Sequence, residues 1–125
     1  MRSTHMPHPK KHVLIVDDEE HVRDLLGILV KREGCGTIHY AANGDEAIVA
    51  VREHKPHLVL LDIAMPGKTG IETLRELKRA NPACKVVMLT AMANVGSVYA
   101  ALEAGADDYL LKNSNLNYLL SYLDE

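Results

Sequence analysis

Five short apolar runs, each followed by turn residues and then by a longer segment with apolar residues three and four apart, constrain this chain more than any other feature. The runs are HVLIV at 12–16, TIHYA at 37–41, LVLL at 58–61, KVVML at 85–89 and DYLL at 108–111. Their starts lie 25, 21, 27 and 23 residues apart, the spacing of strand, loop, helix and loop in a βαβ series. Strands this short and continuously apolar are buried on both faces, which calls for a parallel sheet covered by helices on each side. The expected fold is therefore a five-stranded, doubly wound α/β sandwich. Right-handed crossovers and the 2-1-3-4-5 order common in such sheets set strands one and three side by side at the switch point.

The intervening segments carry helix marks. Val22, Leu25, Leu26 and Leu29 form one apolar stripe, with Gly34 as the stop. Asn43 or Gly44 opens a second helix whose Ala47, Ile48 and Val51 face inward before Pro56. A third is predicted from Thr69 to Arg79 with Ile71, Leu74 and Leu77 apolar, and a fourth from Val95 to Ala104, ending at Gly105. A fifth, over about 115–123, starts from a Ser114 cap.

At 125 residues the chain holds one domain, and a core of that size needs no disulfide or metal staple. Cys35 and Cys84 form no CxxC pair, so reduced thiols in a cytosolic protein are expected. No apolar run approaches the ~18 residues that cross a bilayer. With 17 acidic against 14 basic residues and neither Trp nor Phe, the domain lacks the basic stripe and stacking surface that nucleic-acid binding uses. Residues 1–11 have no apolar periodicity and read as a disordered tail in which Ser3 to Met6 resembles a cloning remnant, leaving 12–125 as the domain. A solvated tail is also the favoured reading of His5, His8 and His12 over a metal site.

The residues just after each apolar run carry the functional signal. Strand one ends in Asp17-Asp18-Glu19-Glu20, strand three in Asp62, strand four in Thr90 and strand five in Lys112. In a parallel sheet these ends share one rim, the ligand crevice of open α/β folds. Singly, Thr90 or Lys112 is an ordinary solvated strand end and Asp18 an ordinary helix cap. Asp62 differs, because it closes the most apolar run and is followed by Ile-Ala-Met. Three carboxylates brought together either hold a proton or hold a cation. Oxygen ligands without Cys or His select Mg²⁺, with Mn²⁺ or Ca²⁺ as substitutes, and Mg²⁺ shares its shell with phosphate oxygens. A phosphoryl group then fits the crevice, with Lys112 and Thr90 contacting its oxygens and Asp62 placed as the nucleophile.

These residues resemble those of response-regulator receiver domains, chemotaxis-regulator-like and flavodoxin-like in fold, and the resemblance covers 12 to about 123. VLIVDDEE is similar to the family's first strand and acidic pair, and LVLLDIAMPGKTG to its phosphoacceptor strand and turn. VVMLTA supplies the switch threonine, Thr90, and ALEAGADDYLLK ends in the family's lysine, Lys112. The resemblance implies a two-component signalling switch. A histidine kinase, a phosphotransfer protein or acetyl phosphate would phosphorylate Asp62, with Mg²⁺ held by Asp18, Asp62 and the Ala64 carbonyl, and by Asp17 through water. It implies an acceptor that catalyses its own phosphorylation and dephosphorylation rather than a turnover enzyme. Thr90 would then move inward and Tyr109 turn from exposed to buried, reshaping the surface of helix four, strand five and helix five toward an output domain, a target or a homodimer partner. Val95, Tyr99, Tyr109 and Tyr118 are candidates on that surface; Tyr118 and Tyr122 read first as ordinary packing residues.

Three departures from the family pattern carry expectations. Asn113 stands where receivers have a cis proline, and a trans bond with a rearranged turn is predicted because a non-proline cis bond costs about 2.5–4 kcal/mol. Ala64 and Met92 occupy positions that tune hydrolysis, and neither orients a water, so a long-lived phosphoryl group is expected. The chain's end soon after a short fifth helix favours a piece of a longer regulator over a stand-alone receiver. Two alternatives stand beside this reading. An aspartate-nucleophile phosphohydrolase needs a second Asp where Ala64 stands, and a phosphorylation-independent interaction module commonly lacks an acidic or lysine position that is kept here. An FMN carrier lacks its phosphate loop after strand one, and dinucleotide binding lacks GxGxxG.

Overall fold

The computed structural model describes residues 8–32, 34–63, 69–90 and 95–112, the side chains of 8, 9, 35 and 95 excepted. Strands β1 (His8–Val16), β2 (Cys35–Ala41), β3 (Leu58–Asp62), β4 (Lys85–Thr90) and β5 (Asp108–Leu111) alternate with helices α1 (Glu20–Arg32), α2 (Gly44–His54), α3 (Gly70–Ala80) and α4 (Val95–Glu103). All strand pairs are parallel, in the order β2-β1-β3-β4-β5. The expected fold class and strand order are those observed. β1 begins at His8 rather than His12, with a register irregularity between the two, because His8 still pairs with Cys35 of the neighbouring strand. Residues 1–7 and the expected fifth helix lie outside the described residues.

The period-two side-chain alternation of strands splits the core into two layers. Val13, Ile15, Leu58, Leu60, Val87 and Leu89 pack with Leu26 and Val30 of α1. Leu14, Val16, Val59, Leu61, Val86 and Met88 pack on the other face with residues of α2, α3 and α4, including Ile48, Leu74 and Ala101. Cys84 is a buried free thiol in this second layer, and burial pushes its pKa up. The expected α1 stripe needs one correction. Leu25 is 59% exposed, and Val30 takes the buried place beside Leu26. Leu25 sits one step of about 100° from Leu26, and the sheet meets the side of the helix that carries Leu26 and Val30.

Caps behave as the residue types dictate. The Asn43 side chain accepts the Glu46 N–H at 2.9 Å and the Thr69 hydroxyl accepts that of Glu72 at 3.2 Å, opening α2 and α3. Lys55 closes α2 in the left-handed region at φ 46°, its N–H on the Val51 carbonyl. A clamp not anticipated from sequence joins α3 to the sheet: Lys78 Nζ donates to Asp107 Oδ2 (2.8 Å) and the Cys84 carbonyl (2.7 Å), while Asp107 Oδ2 also accepts the Val86 N–H.

Four histidines meet at the amino end of the sheet. His12 Nδ1 and His39 Nε2 lie 2.9 Å apart, the His39 and His54 rings stack at 3.8 Å, and His57 Nδ1 accepts the His12 backbone N–H at 3.0 Å. Burial, then His54 and His12, hold the His39 pKa below its ordinary value. Burial, then Lys11 and His12, do the same for His57, while Glu53 lies 3.7 Å from His54. The depressed folded-state pKa sets the sign. Above the ordinary value of 6.5 the contribution to stability is complete, and as pH falls below it the unfolded chain takes up protons that the folded one refuses. The urea midpoint is therefore expected to drop as pH is lowered from 6.5 toward the depressed values, and His39→Gln to flatten that drop. An equal pH dependence in the variant counts against this.

Candidate functional site

Because every strand runs the same way, the residues that end β1, β3, β4 and β5 arrive at one rim. Asp17 follows Val16, Asp62 is the last residue of β3, Thr90 the last of β4, and Lys112 follows Leu111. The register is kept by Val16 against Leu61, Asp62 against Leu89 and Thr90 against Leu111. One carboxylate oxygen from each of Asp17, Asp18 and Asp62 lies within 4.8 Å of the others. Asp17 is 1% and Asp62 4% exposed, whereas Asp18 is open to solvent.

Lys112 supplies the opposing charge. Its Nζ stands 2.7 Å from Asp17 Oδ2 and 3.4 Å from Asp62 Oδ2. Burial works against the ammonium, but the hydrogen bond from Lys112 to Asp17 and the charges of Asp62 and Asp17 outweigh it and hold the Lys112 pKa above its ordinary value. Its backbone N–H donates to the Thr90 carbonyl at 2.8 Å, which ties β5 to the end of β4. Thr90 is 4% exposed. The lysine therefore reaches the acidic cluster with Asn113 following it; the bond between the two lies outside the described residues.

Two backbone details that sequence reasoning missed hold Asp17. Its Oδ1 accepts the Glu19 N–H at 3.0 Å, an i to i+2 turn that the Asp-Asp-Glu run could have signalled. Its carbonyl accepts Arg23 Nη1 at 2.7 Å. A third lies beneath Asp62. A Cβ on Gly70 would stand 2.6 Å from Ile63 Cα, 2.8 Å from the Ile63 carbonyl oxygen and 2.9 Å from that of Asp62. These are backbone atoms with no rotamer to give. Gly70→Ala is expected to cost about 1–3 kcal/mol in urea unfolding and to displace the acidic strand end; an unchanged midpoint would show that the strand end yields freely.

Tyr109 packs against the second core layer, and its buried hydroxyl has no hydrogen-bond partner among the described residues. The ring thus occupies the inward position here. Tyr99 is 64% exposed on α4, with Leu102 and Leu111 exposed nearby in sequence on α4 and β5. Ala64, Met92, Tyr118 and Tyr122, and the Val95 side chain, lie outside the described residues.

The oxygen-only cluster fits a hard divalent cation. Adjacent ligands of an octahedral Mg²⁺, at about 2.0–2.1 Å from the ion, stand about 2.9 Å apart, so carboxylate oxygens within 4.8 Å of one another would close by up to about 2 Å or reach the ion through water.

A family model of the response regulator receiver domain matches residues 13–124. The DNA-binding response regulator MtrA of Mycobacterium tuberculosis is 42% identical over 103 residues, covering 82% of this chain and 44% of the relative. The chain thus spans less than half the length of that relative. A response regulator from Burkholderia pseudomallei, solved with a phosphorylated aspartic acid, a calcium ion and citrate, superposes with a TM-score of 0.84 at 27% identity, over 91% of this chain and 66% of that one. A chain of the CheX–CheY–BeF3–Mg²⁺ complex from Borrelia burgdorferi superposes with a TM-score of 0.82 at 30% identity, over 90% of this chain and 86% of that one. Fold and rim together define a doubly wound α/β domain with an acidic cluster and a lysine at one edge of its parallel sheet. The chain belongs to the response regulator receiver family of two-component systems.

Proposed function

We propose that this domain accepts a phosphoryl group on Asp62 in a Mg²⁺-dependent reaction and passes the change to the surface of α4 and β5. The observation that carries the reading is the convergence of Asp17, Asp18 and Asp62 within 4.8 Å, with Lys112 Nζ 3.4 Å from Asp62. Asp18 and Asp62 would hold the ion directly and Asp17 through water, with the Ala64 carbonyl as a further ligand. When bound, Mg²⁺ neutralises charge on the transferring phosphoryl oxygens.

The chain's own residues do the rest. A carboxylate oxygen of Asp62 attacks phosphorus while the bond to the donor's leaving group breaks, and the electron pair departs with that group. Lys112 offers its ammonium to one phosphoryl oxygen and the Thr90 hydroxyl donates to another, so each stabilises charge that water would otherwise solvate. The inward pull on Thr90 couples to the neighbouring strand end, where Tyr109 fixes the shape of the α4 and β5 surface. Tyr99, Leu102 and Leu111 are the exposed side chains available to an output module there. A histidine kinase or phosphotransfer protein is the donor, and an output domain, a target protein or a second copy is the reader, in the cytoplasm. Because Ala64 and Met92 cannot orient an attacking water, the phosphoryl group decays slowly.

The test uses acetyl phosphate as donor. Incubation with Mg²⁺ is expected to add one phosphoryl group by intact mass, and EDTA to prevent it. No adduct under the first condition favours an interaction module that works without phosphorylation. Continuous phosphate release without a persisting adduct favours a phosphohydrolase.

A further inference from the structure

The pole of the sheet opposite the acidic rim gathers imidazoles that the phosphoacceptor chemistry does not use. We propose that His12 Nδ1 and His39 Nε2 form a second cation site, selective for a divalent ion of the zinc, cobalt or nickel class, lying where the proton between them now lies.

The two side chains are brought together by the strand register. His12 pairs with Thr37 and Leu14 with His39, so His12, Leu14, Thr37 and His39 share one face of adjacent parallel strands. That face is the one α2 covers, and His54 on the last turn of α2 stacks on His39 at 3.8 Å with ring planes 11° apart. The His12 and His39 centroids are 5.2 Å apart while their facing nitrogens are 2.9 Å apart. The rings therefore meet edge to edge, each directing one nitrogen at the other. One of the two nitrogens carries a hydrogen and the other a lone pair.

A cation there requires two lone pairs. The donor ring supplies the second by moving its proton to its far nitrogen, so the neutral pair binds the ion without net proton loss. Zinc–imidazole bonds of about 2.0–2.1 Å in tetrahedral geometry place two ligand nitrogens about 3.3 Å apart. The pair need part by less than half an ångström, with each ring turning toward the ion. His54 stacks on His39, and its side chain is 40% exposed. Water completes the shell. His57 is left out, because its Nδ1 is already taken by the His12 backbone N–H.

Donor type separates the two poles. Imidazole nitrogen favours borderline transition metals, whereas the carboxylates of Asp17, Asp18 and Asp62 favour hard cations such as Mg²⁺. The crowding that keeps His39 neutral also keeps its lone pair available near neutral pH. Occupation would tie β1 to β2, and through His54 to α2, and so stabilise the folded chain by mass action.

Cobalt(II) chloride titrated into the full chain, with excess Mg²⁺ present to fill the acidic rim, tests this. The expected result is one equivalent of Co²⁺ giving the visible absorption of a nitrogen-ligated ion, quenched by Zn²⁺, with a raised unfolding midpoint. His39→Gln and, separately, His12→Gln are each expected to weaken binding by about tenfold or more, while a chain with both His5→Ala and His8→Ala binds unchanged. Far-UV circular dichroism checks that the variants fold, and His54→Gln, on an exposed position, gives a smaller loss without threatening the sheet. Undiminished binding in folded His39→Gln overturns the proposal. So does loss of binding in the His5, His8 variant, which would assign the metal to the terminal segment, or the absence of any cobalt spectrum.

Discussion

Asp62→Asn takes up no phosphoryl group from acetyl phosphate: under the conditions that label the parent chain to one equivalent, the variant is expected to stay at background by intact mass. The neighbours do not substitute. Asp17 is 1% exposed, with one carboxylate oxygen on Lys112 at 2.7 Å and the other on the Glu19 N–H at 3.0 Å, so neither oxygen is free to attack. Asp18 is exposed and lacks the lysine contact that Asp62 has. Asn keeps the shape of Asp and its amide can accept from the same donors, so the fold survives. It also removes one of three negative charges held within 4.8 Å of one another, and the metal-free variant should unfold at no lower urea than the parent. Persistence of the adduct in Asp62→Asn would move the acceptor elsewhere and end the proposed role.

The second large effect is on stability. Lys112→Met removes the ammonium that stands 2.7 Å from the buried Asp17 carboxylate and 3.4 Å from that of Asp62, and breaking a buried pair in this way costs about 3 kcal/mol or more. The urea midpoint of the metal-free variant is expected to fall accordingly, and millimolar Mg²⁺ to restore much of the loss by supplying positive charge at the same rim. The pH dependence has a definite sign. The Lys112 pKa is raised above its ordinary 10.5, so its contribution is complete below that value and is lost as pH climbs through the higher folded-state value. The parent should therefore lose stability in that alkaline range through this group, and the Met variant should not. A midpoint unchanged by the substitution would mean that water already compensates the two carboxylates.

The legible part of the site comes from chain direction. In a parallel sheet each strand end points to one rim, so the residue after each apolar run is enough to name Asp17, Asp18, Asp62, Thr90 and Lys112, and Asn113 does not prevent Lys112 from reaching the cluster. Leu25 misleads because the apolar residues of α1 allow two overlapping stripes, and the sheet selects the one through Leu26 and Val30. The Lys78–Asp107 clamp, 29 residues apart, and the Gly70 contact with Ile63 and Asp62 have no local signal at all.

The pattern of apolar residues by itself determined the strands, their burial on both faces and the rim at which the acidic, hydroxyl and ammonium groups collect, because periodicity records which side of an element avoids water. The tertiary structure alone decided that Lys112 sits closer to Asp17 than to Asp62, that Tyr109 turns inward, and that histidines 27 and 45 positions apart meet at the opposite pole. Such distances depend on the register between strands and the seating of helices on the sheet, which are set by packing across elements and leave no trace in any single segment.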